Sequence, residues 1–448
     1  MVTPAPGAPP TSGVRGLRWW LGAILLLAFS LRLAWRLHLG RADFWRTGYT
    51  FLYAMAQRLV AGHGLSLPEQ PGAWWGDGGW AQRQPVYPLF LALTALFGHD
   101  WLLIVVPQAL FGALTVACGF WLGRRWFGAP SGLIAAAWAA VYPYYVEHDT
   151  VLQDTSMVTA GGALAVCGLL RARVSPRAWV WLAAGALAGL AVLIRATLLP
   201  FSVGAVVWIA LVGEGPGRLR LARAAVVGLA ATLVVGAWVA RNEIRVGRPV
   251  LSSEFGQLLY AGNSPQTFSY YPRGSIDDSA RAAAAAVGLA DRQRLASLPD
   301  REMGRNDYYA RRALDWIARH PAETAIGVVR KELTGFSWVF SPQKDVRTQA
   351  IYFVSYAPIL LLGLAGMVMA RAGWREHSLV WLQFLGFVAV TAVFWAHTSH
   401  RSVLDIYLMV FAAPVILRIA ASLSARLHAA RRPVGLPAAE SDASVNFS

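Results

Sequence analysis

The chain has 448 residues, of which 56% are hydrophobic and only 14% charged, with a mean hydropathy of +0.44. A soluble protein of this length needs far more polar surface, so the composition predicts a polytopic membrane protein. The formal net charge of +16 would suggest a nucleic-acid partner in a soluble chain. In a membrane chain it points instead to basic cytoplasmic loops and contact with anionic membrane lipids, with no nucleic acid.

In chain order, residues 1–16 form a Pro/Ala-rich lead expected to be disordered and cytoplasmic, followed by a first span read as a retained anchor. A helical crossing takes about 20 mostly apolar residues. Candidate spans are 17–38, 101–122, 131–146, 151–170, 178–195, 197–213, 221–239, 349–370, 378–396 and 402–421, about ten transmembrane helices in an all-α bundle. The stretch TGYTFLYAMAQRLVAGHG (47–64) reads as an amphipathic surface helix, with Tyr49, Tyr53, Ala56 and Val60 on one stripe. PVYPLFLALTALFG (85–98) is apolar but short, as expected of an interfacial or re-entrant helix. The tail 422–448 is expected to be cytoplasmic and largely disordered. Cys118 and Cys167 both fall inside apolar spans and support neither a disulfide framework nor a metal site.

Basic clusters at 123–128, 171–177, 217–223 and 371–376 and in the tail RLHAARR share one side under this count, which the positive-inside rule makes cytoplasmic together with both termini. Of the 24 Asp and Glu residues, all but Glu214, Glu376, Glu440 and Asp442 fall on or near the other face. That face also receives two large extracytoplasmic loops, 39–100 and 240–348, long enough to carry a site. Residues 17–421 thus form one membrane domain.

Several segments together resemble one family. YTFLYAMAQRLVAGHGLS is similar to an aromatic helix ending in a G-x-G turn, and RQPVYPLFLALTALFG to a basic-Pro-x-Tyr-Pro stretch followed by QALFGALTVACGFWLGRRWFG. LQDTSM places an acid at the start of the fourth span, GLAVLIRATLLP carries a Leu-x-Arg turn, and GAWVARNEIRVGRPVLSSEFGQLLYAGNSP a Trp-x-x-Arg-Asn run followed by a Gly-Asn-x-Pro element. Their order and spacing, over roughly residues 20–420, resemble the bacterial glycosyltransferases of the C superfamily that use polyprenyl-phosphate sugars, such as protein O-mannosyltransferases and the aminoarabinose transferase.

The resemblance implies a glycosyltransferase C-type helical bundle in the bacterial inner membrane. It implies transfer of a sugar from a polyprenyl-phosphate donor to a lipid, glycan or protein acceptor at an extracytoplasmic site, with inversion. Such proteins usually carry an Asp eight residues before the Ala that matches Ala56; here that position is Gly48. Either Asp43, five residues earlier, takes the role of base, or the usual base is missing.

The chemistry needs a carboxylate to accept the acceptor's proton and cations to receive the charge of the leaving phosphate. Asp43 is the candidate base and Asp154 the second site acid, one turn inside the fourth span. Their plainer readings are a solvated acid beside Arg41 or Arg46, and an acid favoured by a helix N-terminus. Glu147, His148 and Asp149 could hold Mg²⁺ or Mn²⁺, or form only a polar hairpin. Arg83, Arg195 and Arg401 suit phosphate recognition or snorkelling to headgroups. Arg241 and Asn242 could position the donor or pin the second large loop, the latter role fitting Asn242 better. Tyr49, Tyr53 and Tyr87 could stack on sugar or belong to an interfacial belt. His397, His400 and Asp405 are lesser additions. The competing readings are a non-catalytic member of the family and a lipid-carrier or sugar transporter.

Overall fold

The computed structural model of the protein describes residues 12–69, 78–274, 276–298, 300–339, 344–395 and 397–430. The predicted disordered ends therefore fall largely outside the described residues, as does part of the first large loop.

Helix α1 (Ser12–Arg46) is interrupted at Gly40, whose φ of 82° no other residue adopts easily. Then come α2 (Thr50–Val60), α3 (Val86–Leu96), α4 (Leu102–Phe127), α5 (Ala129–Val141), α6 (Pro143–His148), α7 (Thr155–Arg173), α8 (Ala178–Ile194), α9 (Leu199–Val212) and α10 (Gly217–Val246). The second large loop folds into α11 (Phe255–Gly262), α12 (Ile276–Ala285), α13 (Leu289–Ala296), α14 (Arg301–Arg319) and α15 (Pro321–Gly335). The chain ends in α16 (Val346–Met369), α17 (Trp374–Val393) and α18 (Thr398–Ala430). Among the described residues no strand longer than an isolated bridge occurs.

Among the described residues, seven helices are long and apolar enough to cross a membrane, namely α1, α4, α7, α10, α16, α17 and α18, and α3, α5, α8 and α9 are shorter apolar helices. Each of the ten predicted spans thus falls on a helix, three of them on short ones. The predicted span 131–146 is in fact broken between α5 and α6, because Tyr142 is extended (ψ 116°) ahead of Pro143, as steric clash with a following proline requires. At the other end, α18 continues nine residues past the predicted boundary at 421, since ASLSARLHAA is rich in good helix formers.

The core lies around α18, in which every residue from Arg401 to Ala413 is buried. A helix apolar on all sides belongs at the centre of a bundle. Close packing there depends on small residues, as membrane bundles generally do. A β-carbon at Gly366 of α16 would collide with the Phe411 carbonyl of α18.

At one end of the bundle the basic connections meet: Arg173 pairs with Glu214 at 2.7 Å and Glu376 at 3.0 Å, and Arg125 reaches Glu376 at 3.6 Å. Glu214 and Glu376, two of the four acids that the sequence places on the basic side, are thus matched by arginines. The two long loops gather at the opposite end.

Candidate active site

The site is organised around the end of α6 and the short connection from Asp149 to Asp154 that leads into α7. Gly48 forms a parallel bridge to Leu152, with the Tyr49 amide donating to the Leu152 carbonyl at 2.7 Å. Gly48 has φ 86°, and a β-carbon there would lie 2.6 Å from the Leu152 carbonyl oxygen and 2.8 Å from Val151 Cγ1. The position where the family resemblance leads one to expect an acid therefore has no room for a side chain. From the other side, buried Gln108 of α4 donates to the carbonyls of Asp149 (2.8 Å) and Val151 (2.7 Å) and accepts from the Tyr87 hydroxyl (3.1 Å). Gln108 escaped the sequence reading, although a lone amide in an apolar span just after Pro107 is a signal that can be read.

Asp154 is the N-cap residue of α7, yet its side chain caps no backbone amide. Its carboxylate faces Arg195, the C-cap residue of α8, in a two-pronged pair: Nε donates to Oδ2 at 3.0 Å and Nη2 to Oδ1. Arg195 Nη1 also donates to the Ser399 carbonyl at 3.1 Å. The pair is 12–15% exposed. Asp154 thus lies at the N-terminal edge of α7 rather than one turn inside the span, as a helix-terminus acid that is also the partner of Arg195.

Asp43 belongs to a different network. Its Oδ2 accepts from Arg36 Nη1 at 2.7 Å, and Arg36, fully buried on α1, also reaches Glu147 (3.5 Å) and the Thr150 hydroxyl (3.3 Å). Neither neighbouring arginine named from the sequence is its recorded partner. One turn earlier, Arg32 donates to Asp149 Oδ2 at 2.7 Å and to the Ala140 carbonyl at 3.2 Å. Arg32 and Arg36 also went unread; two arginines four apart within an apolar span face inward by default.

The three proposed metal ligands diverge. Glu147 turns to Trp35 and Arg36, and Asp149 to Arg32. His148 stacks on Tyr144 with ring centres 4.0 Å apart, its Nδ1 3.0 Å from the Tyr144 carbonyl. Adjacent residues on a helical turn point in different directions, and each finds a separate partner. Among the described residues no group of three His, Cys, Asp or Glu side chains could hold a metal ion. The residues present do not fit the Mg²⁺ or Mn²⁺ site expected from the sequence.

The remaining candidates divide in the same way. Arg83 pairs with buried Glu254 at 2.8 Å and lies over the Phe51 ring. Burial pushes the Glu254 carboxyl up to about 7, with Arg83 opposing. Arg241 donates to the carbonyls of Trp80 and Leu65, both at 2.5 Å, and Asn242 donates to the Val250 carbonyl at 2.9 Å. Both therefore tie the large loops to α10. Arg401 is fully buried, bonded to Asp405 at 3.1 Å and the Tyr352 hydroxyl at 2.7 Å, with its guanidinium 3.5 Å above the Tyr356 ring. That core network leaves it no approach to a headgroup. Tyr53 contacts His99 Nδ1 at 2.6 Å.

Tyr49 is 40% exposed. Its hydroxyl is raised by burial, lowered by Arg195 and Arg83, and raised by Asp154 and Asp277. Of these, Asp154 and Arg195 form the two-pronged pair, and Arg83 lies over Phe51, whose ring centre is 5.4 Å from that of Tyr49. Acids and arginines at one end of the bundle can bind a phosphorylated, hydroxyl-rich ligand and move a proton. A separate cavity of about 600 Å³ beside α12, lined by Tyr270, Arg273, Asp278 and Arg281, includes none of Asp154, Arg195, Arg83 and Asp277.

Residues 82–240 match the family model of dolichyl-phosphate-mannose-protein mannosyltransferase, and this segment contains Arg83, Asp154 and Arg195. No curated protein matches the sequence. The apo oligosaccharyltransferase of Archaeoglobus fulgidus aligns over 92% of this chain and 52% of its own, with TM-score 0.52 and 13% identity. The same enzyme tethered by a disulfide bond to an acceptor peptide containing the NVT sequon aligns over 92% and 50%, with TM-score 0.52 and 12% identity. ArnT from Cupriavidus metallidurans bound to undecaprenyl phosphate aligns over 95% and 82% at 14% identity, but with a TM-score of 0.40 too low to argue from. The chain spans about half the length of the archaeal enzyme. At this identity the likeness is one of fold, and it bears out the all-helical architecture; the match of residues 82–240 to the mannosyltransferase family model agrees with the resemblance drawn from the motifs.

Proposed function

We propose that this protein is a membrane glycosyltransferase that moves a hexose or pentose from a polyprenyl-phosphate carrier to a lipid, glycan or protein acceptor. In this reading it lies in a bacterial inner membrane with both termini cytoplasmic, and works at the extracytoplasmic end where the two large loops gather. The observation that carries the reading is the part-exposed, two-pronged Asp154–Arg195 pair at the loop end of the bundle, with Tyr49 joined to the segment leading to Asp154 through the Leu152 carbonyl. A part-exposed pair of this kind, at the edge of a span, suits a donor whose lipid is confined to the bilayer.

The reaction is a direct displacement with inversion. The acceptor oxygen attacks the anomeric carbon, the bond to phosphate breaks, and the lipid phosphate leaves with the electron pair. Arg195 and Arg83 receive the charge that develops on the phosphate, since guanidinium groups fork onto its oxygens. Asp154 holds Arg195 in orientation and offers its oxygens to donor-sugar hydroxyls. Asp43 is the base proposed from the sequence, and its carboxylate is held by Arg36.

The test uses full-length protein in nanodiscs with a panel of radiolabelled polyprenyl-phosphate sugars. Wild type should transfer label to an acceptor, and Asp154→Asn should lose at least about 100-fold in rate while keeping its folded yield. Absence of transfer by wild type from every donor, or full activity in Asp154→Asn, refutes the assignment.

A further inference from the structure

The proposed chemistry needs a carboxylate base; Asp43 is held by Arg36, and the structure offers a second, more exposed carboxylate from the other large loop. Asp277, in the first turn of α12, faces His397, just before α18, with Oδ2 3.9 Å from Nε2. The Ser399 amide donates to His397 Nδ1 at 3.0 Å, and the Ser399 hydroxyl is 2.7 Å from the same nitrogen. Because a backbone amide can only donate, Nδ1 is the acceptor nitrogen. A neutral His397 therefore carries its proton on Nε2, the nitrogen that faces Asp277. Ser399 in turn accepts from Arg195 through its carbonyl, and Arg195 holds Asp154. A continuous series of contacts thus runs Asp277–His397–Ser399–Arg195–Asp154, and the charges of Asp277 and Asp154 both act on Tyr49.

We infer that Asp277, oriented by His397, is the carboxylate that takes the proton of the acceptor hydroxyl in this protein. The inference rests on the glycosyltransfer reading above and names its base. The acceptor O–H bond breaks with its proton passing to an Asp277 oxygen, the acceptor oxygen bonds to the anomeric carbon, and the carbon–oxygen bond to the lipid phosphate breaks. Asp277 is 51% exposed, so an acceptor can reach it and the proton can then pass to water. A base carried by the second large loop also couples acceptor binding to the placement of that loop, whereas Asp43 is anchored to the first helix. His397 is a positioning residue. The charged and titratable groups around the pair are Tyr49, Arg195, Arg401, His148 and His400.

The experiment compares wild type with Asp277→Asn, His397→Asn, Asp43→Asn and Asp154→Asn in nanodiscs, with Asp278→Asn as the neighbouring-charge control. Asp277→Asn should lose about 100-fold or more in transfer rate with donor KM within about twofold of wild type, and Asp278→Asn should match wild type. Replacing His397 removes the donor that orients the Asp277 carboxylate, so His397→Asn should lower the transfer rate with donor KM within about twofold of wild type, and His397→Gln, which keeps an N–H donor of greater reach, should recover part of the rate. A purely structural role for His397 would lower folded yield or raise KM as well. Histidine ring ¹⁵N spectra give a readout independent of turnover: neutral His397 should be protonated at Nε2 and titrate at lower pH in Asp277→Asn. Full activity in Asp277→Asn together with loss in Asp43→Asn or Asp154→Asn overturns the inference and leaves the glycosyltransfer reading standing. A proton on Nδ1 overturns the inference by itself. No transfer by wild type from any donor overturns both.

Discussion

Two sets of arginine–carboxylate pairs lie at the loop end of the bundle, built from the same residue types for different ends. Arg32 and Arg36 on α1 are fully buried and reach Asp149, Asp43 and Glu147 together with a main-chain carbonyl and a threonine hydroxyl. Arg195 and Asp154 remain partly open, and their contacts lead on to Ser399, His397 and exposed Asp277. A guanidinium enclosed by protein acceptors fastens helices together. One that keeps an open side beside an accessible tyrosine can accept a ligand oxygen. Pairing alone does not separate the two sets, and neither does exposure of the acids, since Asp43 and Glu147 are 30% and 35% exposed against 15% for Asp154; what differs is the arginine, closed at Arg32 and Arg36 and 12% exposed at Arg195.

The most severe way to break the first set is Arg32→Met. It leaves Asp149 buried with its Oδ2 unpaired, and Oδ1 already has no partner. Removing one member of a buried pair costs about 3–5 kcal/mol, so folded yield and thermal stability in detergent should collapse. Adding Asp149→Asn should recover part of that loss, because no buried charge is then uncompensated. A variant that folds normally but transfers no sugar would place Arg32 with the second set instead.

The Arg83–Glu254 pair sharpens the comparison through pH. Glu254 is buried and its carboxyl lies at about 7 against an ordinary 4.5. Below the ordinary value both folded and unfolded states hold the proton, and the contribution to stability is complete. Between about 4.5 and 7 the unfolded chain releases the proton while the folded chain keeps it, so stability falls as pH rises, then levels off. At about 1.4 kcal/mol per unit the whole effect is on the order of 3 kcal/mol. Wild-type melting temperature should fall from pH 5 to pH 8, and Glu254→Gln should flatten that fall. An unchanged slope in Glu254→Gln would show that Arg83 keeps Glu254 ionised throughout.

The sequence made the helices legible because apolar length and loop charge are local properties. It also singled out Arg83, Asp154 and Arg195, which the structure pairs as Asp154 with Arg195 and Arg83 with Glu254. What it could not give is which acid meets which arginine. Asp43 pairs back along its own helix to Arg36, seven positions away, whereas Asp154 reaches Arg195 forty-one positions on. Glu147, His148 and Asp149 looked like a ligand set because they are adjacent, and adjacency on a helical turn sends side chains apart. Asp277 carried no signal at all: an acid in the first turn of an Ala-rich helix is ordinary until the fold brings His397 to it.

Gly48 supplies the smallest and most diagnostic test. Its φ of 86° and its bridge to Leu152 exclude a β-carbon, and holding another residue in that backbone region costs about 1–3 kcal/mol. Gly48→Ala should therefore destabilise by that amount and reduce transfer, because Tyr49 and the connection leading to Asp154 are joined through the Leu152 carbonyl. Gly48→Asp restores the acid usual at this position, yet it should be no more active than Gly48→Ala, since its side chain starts from the same collision. Transfer by Gly48→Asp above wild type would mean that the connection yields, and that the first loop can still hold the base. Equal losses in the two variants would fix Gly48 as a joint between the first loop and the Asp154 segment, and leave proton transfer to a carboxylate that has space to act.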